Sequence, residues 1–361
     1  MPAQLTLFAP GFFGPPGLPR EGDWLAGLDL SATTAMLSRA DRSAGGGGSF
    51  EAALCACFGL HSEDNADLPI AALTRQMDRG DAGQDYWLRA DPVHLRADRD
   101  RLVMLGNSAL ALEPEERAQL NAELAPHFAE LGMALELVRG GRAYLRLSRA
   151  AAVVTSPLSE VVGQDVLAHM PDGPDAASWR SLLNEAQMLL HASPVNRVRR
   201  QRGLPVVNSL WFWGGGRLPE GLTAAGDVLW GEQALAVALA QASGMHTQPL
   251  PAGLAEGLEQ MEAGHHWLVW DRLSEAVSMG DMDAWRDGLN VLHHAWLAPA
   301  AEAVRRGRLQ HFTLHTIHSI FSVTSRTQKR WWRRHRSLPA LNAGNAFGPL
   351  SLREKGGVRV D

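Results

Sequence analysis

Leu204-Pro-Val-Val-Asn-Ser-Leu-Trp-Phe-Trp-Gly-Gly-Gly216 is the stretch on which the reading of this chain turns. An apolar, tryptophan-rich strand runs straight into three glycines. Glycine has no Cβ, so such a turn lets bare backbone approach a ligand and can aim N–H groups at an anion, with Arg217 as counter-charge. Asn208, Trp211, Trp213, Gly214, Gly215, Gly216 and Arg217 are therefore candidate ligand-binding residues. A buried strand followed by a flexible turn explains the same pattern. Both readings stay open on the residues alone.

Working outward, the chain reads as alternating strands and helices, which predicts an α/β sheet. Leu5–Ala9 is a predicted strand, Ser43–Ser49 a glycine-rich loop, and the residues near 50–58 a helix. Tyr86-Trp-Leu-Arg-Ala-Asp-Pro-Val-His-Leu95 is a polar-aromatic stretch, either a ligand contact or strand and turn around a hydrogen-bonded Asp91. Pro114, Glu115 and Glu116 open a helix whose Leu120, Leu124, Phe128 and Leu131 recur at helical spacing, with Gly132 as its stop. Arg139-Gly-Gly-Arg142 marks a hairpin. A helical pattern over 178–200 breaks near Pro194, and Glu232–Ala242 reads as a helix. His266–Trp270 and Phe312–His315 are predicted strands, with Trp285, Leu289, Leu292 and Trp296 a helical core stripe between them.

The length suits two domains, or one large α/β domain with an insertion. Charged residues make up 20% and apolar ones 45%, which argues against disorder. The only cysteines, Cys55 and Cys57, stand too close for a normal disulfide or a zinc site and read as free thiols of a reducing compartment. No charged leader with a long apolar core opens the chain, and no apolar run is long enough to span a bilayer. A cytoplasmic protein without membrane contact is expected.

The run from Thr155-Ser-Pro-Leu158 through His191-Ala-Ser-Pro-Val-Asn-Arg-Val-Arg-Arg-Gln-Arg-Gly203 to Asn208–Gly216, ending near Gly244-Met245, resembles the inserted substrate domain of archaeal-type, cofactor-independent phosphoglycerate mutases of the alkaline-phosphatase superfamily. The wider chain resembles an uncharacterised proteobacterial group labelled regulatory protein RpfE type. The resemblance implies an alkaline-phosphatase-like central sheet flanked by helices, spanning 1–150 and 250–340. It further implies an inserted α+β domain over 155–245 and a C-terminal tail at 341–361. The mutases hold two metal ions on Asp and His at strand ends, and these clamp the attacking and leaving oxygens.

Those ligands are altered here. Where the family's first strand ends in Asp-Gly, this chain has Pro10-Gly11. The family's Asp-Glu-Ala-Gly-His-x-Gly-Asp loop matches Ser274-Glu-Ala-Val-Ser278-Met-Gly-Asp281, so both ligand positions are serines, poor donors to such cations. The late Asp-His pair falls near Leu314-His315 or Ile317-His318, without an adjacent Asp. Gly48-Ser49 resembles the family's nucleophile at a helix start. A serine without metal or base is not activated, and an N-cap after a flexible glycine loop is the favoured explanation.

Ser325-Arg-Thr-Gln-Lys-Arg-Trp-Trp-Arg-Arg-His-Arg-Ser337 carries six basic residues and no acid in a chain of net charge −5. Arginines interleaved with Trp331 and Trp332 suit phosphate-bearing ligands or single-stranded nucleic acid; a solvated basic face is the alternative. His311, His315 and His318 have metal-like spacing only if helical, and the segment alternates like a strand. The expectation is a lapsed mutase-like regulatory or adaptor protein, without metal or other cofactor. Its partner would be an anionic small molecule or a protein. The binding cleft would lie between the domains, with Arg197, Arg199 and Arg200 beside the glycine turn and Arg326, Arg330, Arg333 and Arg334 facing them. The alternative is an active metal-dependent phosphatase or phosphomutase with ligands relocated to the histidines.

Overall fold

The computed structural model describes residues 3–15, 18, 23–62, 66–105 and 107–342, so the expected C-terminal tail lies, from 343 onward, outside the described residues. Its strands are β1 (Ala3–Phe8), β2 (Asp41–Ala44), β3 (Tyr86–Asp98), β4 (Arg101–Leu105), β5 (Ala134–Leu137), β6 (Ala143–Leu147), β7 (Ser209–Gly216), β8 (Val228–Trp230), β9 (His246–Gln248), β10 (His265–Val269), β11 (Leu309–His315) and β12 (Ser319–Val323). They form two sheets. The first has seven strands in the order β2-β12-β11-β1-β10-β8-β9. Its members from β11 to β9 run parallel, and β12 is antiparallel to both neighbours. The second has the order β4-β3-β6-β5, with β7 on the other edge of β3.

This second sheet starts earlier in the chain than the insertion expected from the sequence. Residues 86–147, assigned there to the main body, supply four of its strands, while β8, assigned to the insertion, lies in the seven-stranded sheet. The cause is β3, a thirteen-residue strand with a long buried run. Backbone groups buried on both edges need partners on both. β6 and β4 supply one edge and β7 the other, with Asp91 opposite Trp211 and Arg89 opposite Trp213.

Three apolar layers separate and flank the sheets. Beneath the first sheet, Leu5, Leu7, Leu268 and Leu314 meet Trp285, Leu289, Leu292 and Trp296, the stripe legible in the sequence. Asp281 caps that helix (Met282–Leu292) by accepting the Ala284 N–H at 2.9 Å. Between the sheets, Phe8, Leu229, Trp267 and Val269 pack with Val93, Leu95, Trp211 and Trp213, together with the helices Phe50–Cys57, Ile70–Arg79 and Ala234–Ala242. Beyond the second sheet, Leu88, Ala90, Leu210 and Phe212 meet helices Pro114–Glu130 and Ala176–Ala192. Strand side chains alternate between faces, so β7 sends Trp211 and Trp213 into one layer and Leu210 and Phe212 into the other. That double burial explains its tryptophans. Among the described residues no helix is long and apolar enough to cross a membrane.

Candidate functional site

The parallel strands β1, β8, β10 and β11 end along one edge of the first sheet, the edge at which open α/β sheets place their ligands. Pro10 follows β1 and is buried. Asp271 follows β10, and burial pushes its carboxyl above the ordinary range. The helix Arg272–Met279 then carries Ser274, whose Oγ is buried without a hydrogen-bond partner, and Ser278. A Cβ at Gly163 would collide with the Ser278 carbonyl, so this helix is packed tightly against the segment that follows the second sheet's hairpin.

His315 ends β11. It is buried, its ring centroid lies 4.9 Å from that of Phe8, and its Nε2 stands 3.8 Å from Cys57 Sγ. Burial lowers its pKa to about 4, which leaves the imidazole neutral, while burial raises the Cys57 thiol to about 12. Neither group is poised as acid or nucleophile at neutral pH. His311 sits four residues earlier on the same strand, ~13 Å away at ~3.3 Å per residue, so the two histidines do not converge.

Gly45 and Gly47 donate to the carbonyls of His318 and Ile317, which straps the glycine loop to this edge. Ser49 ends that loop. Its Oγ accepts the Ala52 N–H at 3.0 Å and so caps helix Phe50–Cys57. Glu51, in the first turn of that helix, is buried. Burial raises its pKa to about 7, against the pull of a 2.5 Å hydrogen bond donated by Ser159 Oγ.

A pair of metal ions needs several anionic or imidazole donors converging on it. Pro10 offers no donor, Ser274 and Ser278 offer neutral hydroxyls, and no three His, Cys, Asp or Glu side chains among the described residues form a metal-binding group. The residues do not fit the metal pair of the mutases.

The three glycines expected as a turn instead end strand β7, where Gly216 pairs with Trp87 beside a register shift, and the anion that the Gly215 N–H meets is the protein's own Asp67. Its Oδ2 accepts the Gly215 N–H at 3.1 Å and its Oδ1 the Thr155 N–H at 2.8 Å. Thr155 Oγ1 also donates to Oδ2 and in turn accepts the Gly214 N–H at 3.2 Å. Burial raises the Asp67 pKa, and these bonds oppose it. The missing Cβ atoms admit protein rather than ligand: one on Gly216 would come within 2.5 Å of Pro69 Cβ, and one on Gly215 within 2.8 Å of the Tyr86 hydroxyl.

The other residues singled out by sequence divide by burial. Asn208 bridges Leu95, accepting its N–H and donating to its carbonyl, both at 2.7 Å. Trp211 donates to the Ser156 carbonyl and Trp213 to Asp91 Oδ2, each at 2.8 Å. Asp91 also accepts from Arg89 and the Ala143 N–H, the hydrogen-bonded alternative for that residue. Arg199 is buried and holds Glu116 Oε2 at 2.6 Å together with the Pro205 and Leu110 carbonyls. Arg197 and Arg200 are exposed, and Arg217 donates to the Gln84 carbonyl.

Nor do the basic residues of 325–337 pack on this turn. Arg330 holds Asp41 and Arg333 donates to the Ala40 carbonyl at 2.6 Å; Arg326 and Arg334 are exposed. His335 pairs with Thr34 Oγ1 at 2.8 Å, so the segment is docked on helix Ser31–Arg39 and β2. Asp41 pairs with Ser322, whereas Ala44 pairs with Ser319 near His315. The basic segment therefore lies toward the end of β2 opposite the glycine loop. Sequence reasoning missed Asp67, Glu51 and Arg42. Nothing local marks them, because their partners lie far along the chain.

No family model matches the chain. A probable 2,3-bisphosphoglycerate-independent phosphoglycerate mutase of Geobacter sulfurreducens is 28% identical over 155 residues, covering 42% of this chain and 38% of that protein. The corresponding mutase of Methanothrix thermoacetophila is 33% identical over 100 residues, 25% of this chain and 26% of that protein. These alignments thus span less than half the length of the curated relatives. The PH0037 protein of Pyrococcus horikoshii shares the fold, with a TM-score of 0.53 and 12% identity over 94% of this chain and 92% of that one. By these likenesses part of the chain is a low-identity homologue of 2,3-bisphosphoglycerate-independent phosphoglycerate mutases, and the chain as a whole has a mixed α/β fold shared with the PH0037 protein.

Proposed function

We propose that this protein is a mutase relative that has lost the two-metal chemistry and acts by binding, as a regulatory or adaptor protein. The observation that carries the reading is the composition of the sheet edge. Pro10, Ser274 and Ser278 stand at the positions where the resemblance puts ligands, and His315, beside them on β11, is buried and neutral. A divalent cation sheds hydration only where negative donors replace the water, and this edge supplies too few. The surrounding framework is retained, with both sheets and all three apolar layers filled. A loss confined to the reacting groups leaves a scaffold able to bind without turnover.

Purified protein assayed with 3-phosphoglycerate and with p-nitrophenyl phosphate, each in the presence of Mg²⁺, Mn²⁺, Co²⁺ or Zn²⁺, tests this reading. Rates no greater than those of the Pro10→Ala variant are expected. Metal-dependent turnover lost on His315→Ala would instead support an enzyme with relocated ligands.

A further inference from the structure

A pocket of about 450 Å³ opens between the end of helix Ser31–Arg39, strand β12 and the basic segment. Arg42, Arg333, Arg334 and Arg336 line it, over an apolar base that includes Leu37 and Phe321. We infer that this pocket binds a compact polyanion carrying a pyrophosphate-type group. The site does not depend on the reading of the sheet edge, since none of its residues lies there.

Like charges facing one volume raise one another's free energy, and an entering anion relieves it. Arg42 shows the effect: burial, and then the charge of Arg336, hold its pKa below the ordinary value. The neighbouring carboxylate, Asp41, is bound at both oxygens by Arg330 and also stands 3.9 Å from Arg333. Arg42 Nη2 donates to Ser319 Oγ at 2.8 Å, and its guanidinium lies 5.4 Å from the Phe321 ring centroid. Arg333 is fixed by the Ala40 carbonyl, and the backbone at Arg336 by Ser38 Oγ at 2.9 Å. Arg334 and Arg336 remain exposed. Guanidinium forks match phosphate oxygens two at a time, so a ligand with two linked phosphates engages several arginines at once where a single carboxylate cannot. The volume is at the small end of the range for ligand sites, which suits a pyrophosphate group, free or carried on a nucleotide.

Calorimetric titration of the full chain with inorganic pyrophosphate and with ADP tests the assignment. Saturable binding of pyrophosphate is expected, weakened tenfold or more by Arg334→Ala or Arg336→Ala. Both residues are exposed, and an unchanged unfolding midpoint would confirm that the variants fold. Arg197→Ala, an exposed arginine elsewhere, should bind as the parent does. Equal affinity for the two ligands assigns the free anion. A gain for ADP that Arg336→Ala abolishes assigns a nucleotide. Failure of the parent to bind either ligand overturns the inference, as does an equal loss in Arg197→Ala. Binding of oligothymidylate without any binding of pyrophosphate overturns it too, in favour of a nucleic-acid surface on the exposed Trp331 and Trp332.

Discussion

Asp67 accepts the backbone N–H of Gly215 at 3.1 Å, so the three-glycine end of β7, whose sequence reads as a turn built for an external anion, is met by a carboxylate of the same chain. The two residues are 148 positions apart, and their contact ties the entrance of helix Ile70–Arg79 to the end of β7. Replacing Asp67 with Ala leaves the part-buried amides of Thr155 and Gly215 without their acceptor, at up to about 1–3 kcal/mol for each unsatisfied group. Urea unfolding should show this as a lowered midpoint, with Asp67→Asn less affected because it keeps one acceptor oxygen. An Asp67→Ala variant as stable as the parent and newly able to bind phosphate would mean that the turn is a ligand site after all.

Glu51 should make stability fall as pH rises. Its ordinary pKa of 4.5 becomes about 7 in the folded protein, chiefly through burial. Between those values the folded state holds a proton that the unfolded state has released, so the stabilisation present at low pH is lost as pH climbs through about 7. At most about 3 kcal/mol is involved. His315 acts in the opposite sense: its pKa drops from 6.5 to about 4, so its contribution is lost as pH falls through that window. The two slopes offset one another between 4.5 and 6.5. Glu51→Gln should therefore raise stability at pH 8 and uncover the rise caused by His315. Unfolding curves from pH 4 to 8 that superimpose for parent and variant would contradict the assignment.

Arg199 and Arg197 occupy one helix, Pro194–Gln201, yet should behave differently. Arg199 is buried and holds Glu116 and two carbonyls, so Arg199→Ala should cost about 3–5 kcal/mol. Arg197 is exposed, and its replacement by Ala should stay within about 0.5 kcal/mol of the parent. Thermal unfolding of the two variants decides it.

Ser49→Ala should cost about 1 kcal/mol, the usual value of a lost N-cap. Ser49→Asp, which also caps, should restore it. A serine acting as nucleophile would not be rescued in activity by aspartate, so stability and activity measured together separate the two roles.

Much of the fold was legible because its signals are local. The stripe from Trp285 to Trp296 repeats within a few turns, and Glu116 accepts the Glu113 N–H at 3.0 Å to start the helix that Pro114 marks. The composition of the second sheet was not legible, because pairing β3 with β7 joins residues more than a hundred positions apart and periodicity carries no record of partners. The tryptophans of β7 were ambiguous for a related reason. A strand buried on both faces has the same composition as one lining an aromatic site. Asp67 and Arg42 each depend on residues brought close only by the finished fold, Gly215 in one case and Arg336 in the other. Among the four arginines set opposite the glycine turn, sequence gave correct charge but no direction, and the docking of His335 on Thr34 carries the segment to the far end of β2.

The most direct test of the proposed loss of metal chemistry is a calorimetric titration of Mn²⁺ into the metal-stripped full chain, alongside the variant Pro10→Asp/Ser274→Asp/Ser278→His. The parent should bind no Mn²⁺ tighter than about millimolar, because the edge of β1 and β10 lacks converging negative donors. Two equivalents bound by the parent at micromolar concentration, lost on His315→Ala, would contradict the account.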